Sequence, residues 1–273
     1  MLPATFTVLF VLLAQLTQNS STNDIFHPPT DTASYIQIIF RWLHFIAGIT
    51  WIGHLYFFNL VNVNLMKALD GPTKGKVIPQ LMPRALWWFR WGAVVTVLVG
   101  LAYYVMYMVA PDAKNPRNVS AGGRSTMIIF LVWLIIIVLV FAAEFFAMRQ
   151  INNGWLVAVI VFVLMVIMAI AILCWLESSL PVVLSTGTAS IGIGGAMGII
   201  MLLNVWGIIW PNQKRIISWT ADNAENGTAI PAESAKLARV AFLASRTNTW
   251  LSIPMLFFMG ASAHFGGYLG LTP

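Results

Sequence analysis

Four residues that can do chemistry interrupt otherwise apolar stretches of this chain: Arg41, His44 and His54 in one run, and His264 in another. Neutral imidazole is a metal ligand, and two imidazoles reaching from two helices are what bis-histidine ligation of a b-type haem requires. His44 and His264 are the candidate pair for the haem iron. Arg41, one turn before His44, has the forked donors that suit a haem propionate. Gly48 lies one turn after His44, and Gly260 and Gly267 flank His264 on its own face. Lacking Cβ atoms, such glycines allow a flat group to press against the backbone beside the imidazole.

At 100° per residue, Arg41, His44, Gly48, Asn59 and Asn62 share one helical face about 60° wide. His54 falls about 80° round from His44 and about 15 Å further along the axis, so the two do not share one metal. It reads as a separate ligand, a quinone contact or a packing residue. His27, followed by Pro28 and Pro29, reads as a solvated residue of an exterior loop.

The elements that position these residues follow from composition. Of 273 residues, 59% are hydrophobic and 9% charged, against roughly 25% charged in a soluble domain. This is the composition of an all-α, polytopic transmembrane helical bundle, and it excludes a water-soluble enzyme, a nucleic-acid binder and a disordered chain. The single cysteine, Cys174, excludes an intrachain disulfide, a CxxC zinc site and a CxxCH haem-attachment site. A crossing helix needs about 20 apolar residues. Six spans are expected, near 35–66, 84–110, 125–148, 154–176, 186–210 and 236–270, with Pro254 kinking the last. Residues 1–18 are apolar without a preceding Lys or Arg or a following A-x-A site, and are expected to persist as a short N-terminal helix or signal anchor. Residues 19–34 would be an exterior linker, and 35–273 the membrane domain.

Counting Lys and Arg gives nine in the 67–84, 149–153 and 211–239 connections and three in 111–124. The first set is expected to be cytoplasmic and the C-terminus exterior. That distribution also accounts for the net charge of +6 without any nucleic acid. Ser190, Gly194 and Gly198 recur every fourth residue, a spacing that admits another helix at close range. Trp87, Trp88, Trp155, Trp210 and Trp250 suit an interfacial belt.

Other polar residues in the spans are candidates because a charge at mid-bilayer costs roughly 2.5–3.5 kcal/mol. Arg90 and Glu144 are expected to pair or to snorkel to the interface. Arg246 and Asn248, in a run of four polar residues, could bind an anionic head group, a quinone or a partner subunit, with Asn59 and Asn204 as further contacts. No motif for hydrolysis or nucleotide chemistry is present.

Four ordered stretches resemble one family: Arg41 to His54 followed by Tyr56-Phe57-Phe58-Asn59; Ala85 to Gly92; Asn204 through Trp210-Pro211-Asn212-Gln213; and Arg246-Thr247-Asn248-Thr249 through Pro254 to His264. They resemble the membrane domain of the bacterial urate hydroxylases, the urate oxidase N-terminal domain family, over about residues 35–268. The resemblance implies oxidoreductase chemistry on urate and electron delivery to a cytochrome c domain, which here would be a separate cytochrome c or membrane-complex subunit. The residues it carries over are Arg41, His44, His54, Arg90, Asn204, Arg246, Asn248 and His264. The expectation is therefore a multi-pass inner-membrane electron-transfer subunit in a lipid bilayer, holding haem b, with quinone as a further candidate ligand. The competing expectation is a non-redox anchoring subunit of a larger membrane complex. A permease is a third, weaker for want of broken helices or an intramembrane acidic site.

Overall fold

The computed structural model describes residues 31–264, so residues 1–18, the linker to residue 30, His27 and Gly267 lie outside the described residues. Two compact units divide the chain, Met1–Ile39 and Phe40–Pro273. In the first, the described part is the start of a helix whose first turn is closed by Asp31, which accepts from the Ser34 amide at 2.8 Å and hydroxyl at 2.7 Å.

The second unit is built, over its described length, of helices joined by short connections. Helix α1 (Thr32–Tyr56) runs through a π-helical turn, Phe57–Asn62, into α2 (Val63–Ala68). Asp70 caps α3 (Gly71–Tyr104) by accepting from the Thr73 amide at 2.7 Å. A second π-helical turn, Val105–Val109, leads to the short α4 (Ala110–Lys114) and α5 (Pro116–Ser120). Then come α6 (Thr126–Gln150), α7 (Gly154–Ser179) and α8 (Thr186–Asn204). A third π-helical turn, Val205–Ile209, joins α8 to α9 (Trp210–Asn226), and α10 (Glu233–His264) completes the order. Gly227 ends α9 in the left-handed conformation, φ 71°, which only a residue without Cβ adopts freely.

Five described stretches are long and apolar enough to cross a membrane: Thr32–Ala68, Gly71–Lys114, Thr126–Gln150, Gly154–Ser179 and Thr186–Asn226. The expected sixth crossing corresponds to α10. Its first half carries Glu233, Lys236, Arg239 and Arg246, and its apolar half, from Trp250, is described as far as His264. Two connections expected as loops are largely helical: 67–84 from Gly71 onward, with Pro79 and Pro83 inside α3, and 211–239 as far as Asn226.

Helix α10 packs along α8, α9 against α3, and α6 against α7. The small-residue face of α8 forms the α8–α10 seam. Ser190 Oγ donates to the Phe258 carbonyl at 2.6 Å, and a Cβ on Gly194 would lie 3.0 Å from Phe258 Cβ and 3.2 Å from the Met255 carbonyl. Gly194→Val is thus expected to force the seam apart and cost about 1–3 kcal/mol, the range for overpacking. Thermal unfolding in detergent measures this, with Gly187→Ala, whose nearest neighbour would be 3.9 Å away, as the neutral control.

Candidate functional site

The stripe on α1 is built against α3. Thr96, Gly100 and Tyr103 succeed one another at helical spacing on α3, and each meets a residue of the stripe. His44 is half-buried, its Nδ1 2.8 Å from the Thr96 carbonyl. Its ring lies so close to α3 that a Cβ on Gly100 would come within 2.7 Å of Cε1. Arg41 Nε donates to Tyr103 Oη at 2.7 Å, and its guanidinium sits 5.1 Å from the centre of that ring. Gly48 faces Thr96 Cγ2, 3.7 Å from where its Cβ would be, so it lets α1 and α3 approach. With Nδ1 engaged by a carbonyl, the outer nitrogen of His44, Nε2, is the one left for a ligand, the arrangement that orients metal-binding histidines.

Within the π-helical turn the stripe divides. A π turn inserts one extra residue and rotates the residues after it relative to those before. Asn59 donates to Ser245 Oγ of α10 at 2.8 Å, whereas Asn62 Nδ2 is 3.9 Å from Met82 Sδ of α3. Tyr56 Oη lies 2.9 Å from Ser252 Oγ. Position falls on α10 as it rises on α1, so the two helices run antiparallel. Twelve residues back from Tyr56 stands His44, and twelve on from Ser252 stands His264, each about 18 Å along its axis. That register places His44 and His264 at equal residue offsets from the Tyr56–Ser252 contact, while His44 packs against α3 and His264 is exposed on the last described turn of α10. Among the described residues, a Cβ on Gly260, one turn before His264, would meet nothing within 4 Å.

A polar cluster lies deeper, between α6, α8 and α10. Asn204 Nδ2 donates to Glu144 Oε1 at 2.8 Å and to Asn248 Oδ1 at 2.9 Å, and Asn248 Nδ2 donates to the Met201 carbonyl at 2.9 Å. Glu144, Asn204 and Asn248 are all 0% exposed. Glu144 neither pairs with Arg90 nor snorkels, because its partner is an amide in the interior. Arg90 is instead held by aromatic faces, its guanidinium 3.3 Å from the Trp210 ring and 5.4 Å from Trp206, with Nε donating to the Leu86 carbonyl at 3.1 Å. Trp210, expected as an interfacial anchor, is thus also the platform for Arg90.

Arg246 and Asn248 go to different places. Two residues apart on a helix is about 200° of rotation, so Asn248 enters the interior while Arg246 lines a groove of about 470 Å³ with Asn62, Met66, Lys67, Lys74 and Phe242. His54 lines a second groove, of about 490 Å³, with Ile49, Thr50, Gly53, Phe57 and Leu81, and its Nδ1 is 2.7 Å from the Thr50 carbonyl.

Among the candidates, the structure joins Glu144, Asn204 and Asn248 in one cluster and leaves Arg90, Arg246 and His54 in separate surroundings. Sequence reasoning missed Thr96, Gly100, Tyr103, Ser245, Lys67 and Lys74. The i, i+4, i+7 spacing of Thr96, Gly100 and Tyr103 was the readable signal among them.

The family model described as urate oxidase N-terminal matches residues 69–271, so the match includes His264 and begins just after α2. No curated protein and no solved structure matches the chain.

Proposed function

Because the chain belongs to the urate oxidase N-terminal family, we propose that this membrane protein is an electron-transfer subunit that holds a b-type haem between His44 and His264. The observation that carries this reading is the His44 imidazole, anchored at Nδ1 on the Thr96 carbonyl and fitted against a bare Gly100. The chemistry of the residues supports this reading: one imidazole is oriented by a carbonyl, a second stands at an equal residue offset on an antiparallel helix, and among the described residues a Cβ on Gly260 would meet nothing within 4 Å. Bound haem supplies a reversible one-electron acceptor.

This chain's own residues do the rest. Thr96 fixes the orientation of the His44 ring and leaves Nε2 as the ligating atom. Gly100 admits the ring to α3. Arg41, held beside Tyr103, would supply the cation that pairs with a propionate. The apolar groove at His54 suits a quinone ring, the imidazole giving it a polar contact. By the distribution of basic residues, the end of the bundle that carries His44 would face outward, where a cytochrome could take up electrons.

The narrower form of the reading is urate oxidation itself. Membranes containing the chain are expected to reduce added cytochrome c when given urate, and Arg41→Gln is expected to slow that reduction. No urate-dependent reduction above membranes lacking the chain removes the enzyme form. The competing reading is an anchoring subunit, which predicts fixed partners on purification and no such reduction.

A further inference from the structure

The groove at the basic end of the bundle has a different chemistry from the haem end. Three cations converge on it from three segments: Lys67 of α2, Lys74 of α3 and Arg246 of α10. Like charges gathered in this way repel unless an anion is shared between them. The Arg246 guanidinium donates to no protein acceptor among the described residues and rests 5.2 Å from the Phe242 ring centre. Asp70, the cap of α3 through the Thr73 amide at 2.7 Å, also attracts Lys74 electrostatically, but Lys67 and Arg246 form no ion pair among the described residues. Asn62, 7% exposed, adds an acceptor, Oδ1, that has no hydrogen-bond donor. The site therefore offers several cationic donors and one buried acceptor, which calls for a ligand with anionic oxygens and a hydroxyl.

The surroundings decide the source of that anion. Met66 and Phe242 line the groove beside the cations, and Leu60, Val61 and Leu65 are exposed on the same segments. A free anion has no use for such an apolar flank, whereas acyl chains do. We infer that the groove formed by Asn62, Lys67, Lys74, Phe242 and Arg246 binds the phosphate head group of an anionic phospholipid, with the head-group hydroxyl on Asn62. The inference stands apart from the haem reading, since it concerns other residues and is read without colour or turnover.

The test titrates the purified full chain in detergent with phosphatidylglycerol, phosphatidylcholine and inorganic phosphate, following intrinsic tryptophan fluorescence. Phosphatidylglycerol is expected to bind tightest. Lys67→Gln, Lys74→Gln and Arg246→Gln are each expected to weaken it roughly fivefold, the contribution of one basic residue near an anionic lipid. Lys236→Gln, outside the groove, is expected to leave binding unchanged. If Arg246→Gln does not fold, the double variant Lys67→Gln/Lys74→Gln serves in its place, with roughly a 25-fold loss expected. Equal affinity for phosphatidylcholine overturns the head-group assignment. Equally tight binding of inorganic phosphate overturns the lipid source, and unchanged phosphatidylglycerol affinity in the groove variants overturns the site.

Discussion

Asn204→Leu is expected to lower stability by roughly 2–5 kcal/mol, more than the Gly194→Val change in the α8–α10 seam. The side chain bridges Glu144 and Asn248, and all three residues are fully buried. Leucine removes both bonds and leaves Glu144 Oε1 and Asn248 Oδ1 without donors, at about 1–3 kcal/mol for each buried orphan. An average hydrogen bond between membrane helices is worth only about 0.6 kcal/mol. A loss above about 2 kcal/mol would therefore mark this cluster as a tie between α6, α8 and α10 rather than an incidental contact. Glu144→Gln is expected to change stability by less than about 1 kcal/mol, because its Oε1 still accepts from Asn204. Adding Glu144→Leu to Asn204→Leu is expected to recover part of the loss, since a buried acceptor without a donor is replaced by apolar packing. Far-UV dichroism on heating in detergent measures all three. An unchanged midpoint for Asn204→Leu would remove the cluster from the account of stability.

His44→Ala is expected to abolish haem binding altogether, and His264→Ala to do the same or leave a weakly held group. His54→Ala is expected to keep the full complement, because His54 lines a different groove. Gly100→Ala gives the geometric form of the prediction. It removes no ligand, but its Cβ would fall 2.7 Å from the His44 ring and must push it away from the Thr96 carbonyl. Haem extracted as its pyridine complex and counted per chain measures each case. Imidazole added to His44→Ala is expected to restore part of the binding, because a free ring can enter the space the side chain leaves. A chain that folds without His44 and still holds haem in full would remove His44 as a ligand.

The membrane class, the main apolar spans and the small-residue face of α8 are legible in the sequence because they depend on composition and on a 3.6-residue period alone. The direction of the α1 stripe is not. A uniform 100° step places Asn59 on the face of His44, but the π-helical turn Phe57–Asn62 breaks that step, so Asn59 meets α10 while His44 meets α3. Partner choice is equally hidden. Arg90 and Glu144 have opposite charges and similar depth, which suggests a pair, yet an aromatic platform takes the arginine and an amide the carboxyl. Adjacency misleads at Arg246 and Asn248, where neighbours in sequence occupy opposite sides of one helix. The helical run of α3 through Pro79 and Pro83 is masked by two residues that ordinarily mark a helix boundary.

The central claim is that His44 and His264 hold a redox centre, and a dithionite-reduced minus oxidised difference spectrum of the purified chain tests it most directly. The account predicts a b-type α-band at one haem per chain, present in the wild type and in His54→Ala and absent in His44→Ala. A wild-type chain saturated with haem that shows no such band, or a band that His44→Ala leaves untouched, would contradict it.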